Sequence, residues 1–237
     1  TAHTVTVDIA RGLLYANGAN GSAGGMRILS LASPEAPVQV GAYFTHYVHD
    51  SHVRGTQLFV ASIYDGLEIV LDVADPANPT EIVTWGTPGD FTHNSWTSKN
   101  GDYLFTTDEN STGFVTVYDI TALPAVTEVA RFTANPISIA HNVHVKGDIA
   151  FLAHYTEGVR LIDVSDPSTP TEFGYYDTWP GASGGFNGDW AVDPFFPSDV
   201  FIVSDISTGL YVFQADLDYG MMKGTVTEAI SGLPAEG

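Results

Sequence analysis

The sequence predicts an all-β domain, a β-propeller of about five four-stranded blades. Three observations predict it. The 237-residue chain holds 24 Gly and 13 Pro with only 15% charged residues, a mix that suits many short strands joined by tight turns. No segment sustains a 3.6-residue apolar period. A unit of about 46 residues recurs along the chain, the length of a four-stranded blade.

The units start at His3, His49, His93, His141 and Asn187, spaced by 46, 44, 48 and 46 residues. Each opens with a short strand. An apolar second strand follows, at Leu58–Ala61, Tyr103–Thr106, Ile149–Ala153 and Val200–Val203. A glycine turn comes next, at Gly66, Gly113, Gly158 and Gly209, and a third strand runs into Asp72, Asp119 or Asp163. Proline turns close the unit at Ser33–Pro37, Asp75–Pro79 and Asp166–Pro170, because proline fixes φ and removes an N–H. A fourth strand such as Thr171–Tyr176 lies at the outer edge. One apolar face per blade cannot be buried alone, so the blades stack radially. The blades fall at about 1–46, 47–91, 92–138, 139–184 and 185–237, within one domain. The glycine-rich Gly18–Gly25 lacks the Lys-Ser/Thr of a phosphate loop and reads as a long hairpin turn.

Composition excludes several functions. Eight basic residues face 28 acidic ones, a net charge of −20, so phosphate is repelled and nucleic acid is no partner. No stretch approaches the roughly 18 apolar residues of a membrane helix. With no cysteine there is no disulfide, thiolate site or cysteine nucleophile. A start at Thr1 is what a processed or partial product shows.

The chain resembles the LVIVD-repeat propellers, in particular the choice-of-anchor B family of exported bacterial proteins. The residues that carry the resemblance are Thr92–Trp96 with Gly101–Glu109, Ala140–Val145, Gly158–Pro170, Gly174–Pro180, and Phe186–Pro197 with Ile202–Leu210. The resemblance implies a secreted or cell-surface propeller and no settled activity. It also implies further N-terminal sequence, which leaves two blade counts open: five, or part of a six-bladed ring.

The histidines are ordered by the repeat. His3, His49, His93 and His141 take one place in four blades, with Asn187 in the fifth. His52 and His144 sit three residues on, where two other blades have Trp96 and Trp190. First strands line a propeller's channel and second strands return to the same face. That face gathers His3, His49, His93, His141, His154, Asp108 and Glu109 as candidate metal ligands. His52, His144, Trp96, Trp190, Asn187 and Asp205 are candidate ligand contacts. Imidazole with carboxylate suits zinc, copper, iron or manganese, and calcium is the alternative for the strand-closing aspartates. The competing reading is structural: a repeated histidine that hydrogen-bonds its neighbours ties blades together. His154, with Asp108 and Glu109, departs from the repeat and points towards function.

These residues support an exported module that binds an extracellular ligand or protein, with a metal on the channel axis. Two other readings stay open: a metal-dependent hydrolase or oxidoreductase on the His/carboxylate face, and a structural component of a surface or matrix. No GxSxG elbow is present.

Overall fold

A computed structural model of the chain describes residues 1–19, 24–111 and 113–215. Its elements are all strands, arranged as a five-bladed β-propeller. Blade 1 comprises β1 (Thr4–Asp8), β2 (Leu13–Asn17), β3 (Met26–Ser30) and β4 (Val38–Tyr43). Blade 2 comprises β5 (Asp50–Arg54), β6 (Gln57–Ser62), β7 (Leu67–Asp72) and β8 (Thr80–Gly86). Blade 3 comprises β9 (Thr92–Thr97), β10 (Tyr103–Asp108), β11 (Val115–Asp119) and β12 (Thr127–Phe132). Blade 4 comprises β13 (Asn142–Lys146), β14 (Ile149–Ala153), β15 (Val159–Asp163) and β16 (Thr171–Tyr176). Blade 5 shows β17 (Asp189–Asp193), β18 (Val200–Asp205) and β19 (Gly209–Gln214); a fourth strand there would fall on residues outside the description. So does the middle of the predicted turn at Gly18–Gly25.

Every pairing within a blade is antiparallel and between neighbours in sequence. Where the third and fourth strands pair, the register slips at Ile28/Leu29, Val70/Leu71, Val117/Tyr118 and Leu161/Ile162. A bulge in the same place four times sharpens the twist of each outer strand.

Period-two alternation sends successive side chains of a strand to opposite blade faces, so each core lies between two blades. Leu58 and Val60 pack with Tyr15 and Ile28 of blade 1, whereas Phe59 packs with Leu104 and Tyr118 of blade 3. Phe105, Val115 and Val117 meet Val143 and Leu152, and Phe151 and Val159 meet Phe201 and Val203. Among the described residues, the outer faces of blades 1 and 5 carry exposed apolar side chains. Val5 and Val7 on β1 are 59% and 46% exposed, and Leu210 and Val212 on β19 are 68% and 66% exposed.

The turns are built as their residue types require. Asp72, Asp119 and Asp163 accept the N–H two residues on, from Ala74, Thr121 and Ser165. Asp75 and Asp166 do the same for Ala77 and Ser168. A second device escapes a reading by residue type alone. A cation precedes the hairpin glycine in Arg11-Gly12, Arg54-Gly55 and Lys146-Gly147. Each reaches the next blade's backbone: Arg11 donates to the Val73 carbonyl, Arg54 to that of Lys99 at 2.9 Å, and Lys146 to that of Ser198 at 2.9 Å.

Candidate metal and ligand site

The first residue of each of the first four repeats lines one cavity at the mouth of the channel. His3, His49, His93 and His141 form a continuous column, with ring centroids 4.1, 4.5 and 3.9 Å apart. Tyr155 continues it, 4.8 Å beyond His141. The column borders a cavity of about 280 Å³ that Thr4, Asp50, Glu109, Asn142 and Trp190 also line.

Backbone carbonyls fix the tautomers of two imidazoles. His93 donates from Nδ1 to the His141 carbonyl at 3.2 Å, and His141 donates from Nδ1 to the Trp190 carbonyl. A carbonyl can only accept, so the proton is on Nδ1 and Nε2 is left with its lone pair. Both Nε2 atoms face Glu109, at 3.9 Å for His93 and 3.5 Å for His141. His49 Nδ1 is buried with no hydrogen-bond partner. One ligand atom each from His49, His93 and Glu109 lie within 4.8 Å of one another.

Burial dominates the electrostatics, since it penalises whichever form is charged. It lowers His49 to about 4, with His3 adding to the effect, and pulls His93 well below the usual imidazole value, aided by His141 and His49. It lowers His141 to about 3 against the opposing bond to Trp190. It raises Glu109, although the hydroxyl of Tyr155 donates to Glu109 Oε1 at 2.7 Å and works the other way. His49, His93 and His141 are therefore neutral imidazoles beside the Glu109 carboxyl.

Other residues singled out from the sequence go elsewhere. Asp108 is buried and spends its carboxylate on the Thr87 hydroxyl and the N–H groups of Gly89 and Phe91. His154 is fully buried, with neither ring nitrogen hydrogen-bonded. Neither is brought into the His49–His93–Glu109 group. Asp205 takes the place of Asp108 two blades further round and accepts from Thr178 and from the N–H groups of Ser207 and Thr208. Asn187 is exposed. His52, Trp96 and His144 form a second tier deeper in the channel. Trp96 lies 3.9 Å from His52, 4.5 Å from His144 and 5.0 Å from Phe195, centroid to centroid. His52 is tied to Thr97, and His144 donates to the Val192 carbonyl at 2.6 Å. Trp190 is half exposed at the cavity rim.

The fold and site together define a β-propeller whose channel mouth is lined by imidazole. Residues 47–87 and 138–178, in blades 2 and 4, match the LVIVD repeat. No curated protein matches it. A protein of Lactobacillus plantarum is similar in structure, with a TM-score of 0.74 at 17% identity over 90% of this chain and 67% of its own. A putative 6-phosphogluconolactonase of Bacteroides uniformis gives 0.75 at 13% identity over 92% and 69%. The periplasmic gluconolactonase of Pseudomonas aeruginosa gives 0.69 at 14% identity over 98% and 71%. At these identities the likeness is one of fold.

Proposed function

We propose that the protein is an exported or cell-surface ligand-binding propeller that holds one divalent transition metal on His49, His93 and Glu109. The observation that carries the reading is the grouping of three donor atoms within 4.8 Å at the channel mouth. His93 and His141 each turn a free Nε2 towards the same carboxylate. Lone pairs facing a carboxylate call for a cation between them. Bonds of about 2.0–2.2 Å to zinc would set tetrahedral donors roughly 3.4 Å apart, a modest contraction by side-chain rotation. Export rests on the resemblance to choice-of-anchor B proteins. No Lys or Arg lines the cavity, so the positive charge for an anionic ligand group would have to come from the metal.

Metal-stripped protein titrated with zinc is expected to take up one ion per chain and to gain about 2.7 kcal/mol of stability at a hundredfold excess over Kd. His93→Ala is expected to lose that ion while keeping the fold. A wild-type protein that stays metal-free, or a His93→Ala variant that binds equally well, overturns the site.

Three protein ligands leave a fourth position open, which favours a second reading as a metal-dependent hydrolase. The neighbours named as gluconolactonases make an unphosphorylated sugar lactone the first substrate to assay. Turnover that disappears with the metal and returns with it supports this reading, and none with the loaded protein rejects it.

A further inference from the structure

Four residues occupy one place in the repeat, directly after Ser62, Asp108, His154 and Asp205. They are Ile63, Glu109, Tyr155 and Ile206. Blades 2 and 5 keep an isoleucine and blade 1 has Ala19, whereas the two blades with polar side chains there, 3 and 4, are adjacent. Their substituted side chains meet: Tyr155 donates its hydroxyl to Glu109 Oε1 at 2.7 Å across 46 residues of sequence.

Tyr155 is also held in an unusual conformation. Its φ is +33°, a left-handed value that an aromatic residue rarely adopts. Blade 5 clamps it there. The Tyr155 N–H donates to the Asp189 carbonyl at 3.1 Å, and the Asp189 N–H donates back at 2.9 Å. The ring is buried, edge-on to His141. Strained backbone that is over-determined by its surroundings is characteristic of functional sites.

From this geometry we infer that Tyr155 is a positioning residue of the metal site, fixing one oxygen of Glu109 so that the other is presented to the ion beside His49 and His93. The inference rests on the metal-binding reading above. Tyr155 does not itself touch the metal. It removes the rotational freedom of a carboxylate that would otherwise turn into the channel, as outer-sphere partners of metal ligands do elsewhere.

Cobalt(II) is the probe, because its visible spectrum reports ligand number and geometry. Wild-type protein is expected to bind one Co²⁺ with an intense spectrum of low coordination number. Tyr155→Phe is expected to bind at least tenfold more weakly, with a shifted spectrum. In a Glu109→Gln background the same change is expected to have no further effect, since the residue acts through Glu109. Glu109→Asp keeps a carboxylate that falls short of the hydroxyl, and the same loss is expected. It serves as the test if Tyr155→Phe does not fold. Wild-type protein that binds no cobalt overturns both readings. Unchanged affinity and spectrum in Tyr155→Phe or in Glu109→Asp overturns the role of Tyr155 alone and leaves the site standing. A loss that persists in Glu109→Gln also overturns it, marking the tyrosine as merely structural.

Discussion

Asp189→Asn is expected to stabilise the protein at pH 8 and to do little at pH 4. The side chain lies at the start of β17, fully buried. The Thr178 hydroxyl stands between it and Asp205, at 2.6 Å from Asp205 Oδ2. One hydroxyl has one proton. Asp205 also accepts two backbone N–H groups at 2.7 Å, and these bonds outweigh its burial and hold its pKa below the usual value. Asp205 thus stays the charged partner, and a proton on the buried Asp189 relieves the repulsion between the two carboxylates. Burial pushes Asp189 up to about 7, the charges of Asp205 and Asp177 push the same way, and Thr178 and Arg160 oppose. The folded state therefore holds a proton that the unfolded chain has released, so stability falls as pH rises from about 4 to about 7. The ceiling is about 4 kcal/mol, at 1.36 kcal/mol per pH unit. Asparagine presents a permanent donor and escapes the loss. Urea unfolding of both proteins at pH 4 and pH 8 measures it, and a difference that does not grow with pH rejects the proton on Asp189.

Gly158→Ala is expected to cost at least about 3 kcal/mol. Its φ is +75°, and a Cβ there would stand 2.1 Å from the Tyr176 carbonyl oxygen and 2.6 Å from Asp177 Cα. These are backbone atoms of β16 and the residue after it, which cannot move aside as a flexible side chain does. The Gly158 carbonyl accepts the His154 N–H, and its own N–H donates to the Tyr155 carbonyl, so the strain reaches the residue that holds Glu109. Gly55 separates the two terms. Its φ is +60° with nothing within 4 Å of a Cβ, and Gly55→Ala should cost only about 1–2 kcal/mol, the price of the left-handed conformation. Equal losses for the two variants in urea unfolding would remove the steric argument.

The fold was legible because its cause is periodic. A repeat of about 46 residues, an apolar strand before each glycine turn and Asp-Pro turns are all local signals. The column of His3, His49, His93 and His141 was legible for the same reason, since equal places in a repeat become neighbours in space. The site's selectivity among carboxylates was not. Asp108 and Glu109 are adjacent in sequence, but strand alternation aims one into a hydrogen-bonded corner and the other at the imidazoles. Departure from the repeat pointed to His154, which the structure buries away from the donor group. The same test applied one position later finds Glu109 and Tyr155 against Ile63 and Ile206. The partnership of those two residues depends on which blades adjoin, information that lies between repeats rather than within one.

Because every buried core is shared by two neighbouring blades, the chain behaves as a short one-dimensional lattice in which stability resides in the junctions. Blades 2, 3 and 4 each enter two junctions. Among the described residues, blades 1 and 5, with Val5, Val7, Leu210 and Val212 turned outward, each enter one. Opening is then cheapest at the ends, and amide exchange should slow steadily from the strands of blades 1 and 5 towards those of blade 3. Across the described blades cooperativity is expected to be a gradient whose most protected point is blade 3, where His93 and Glu109 stand.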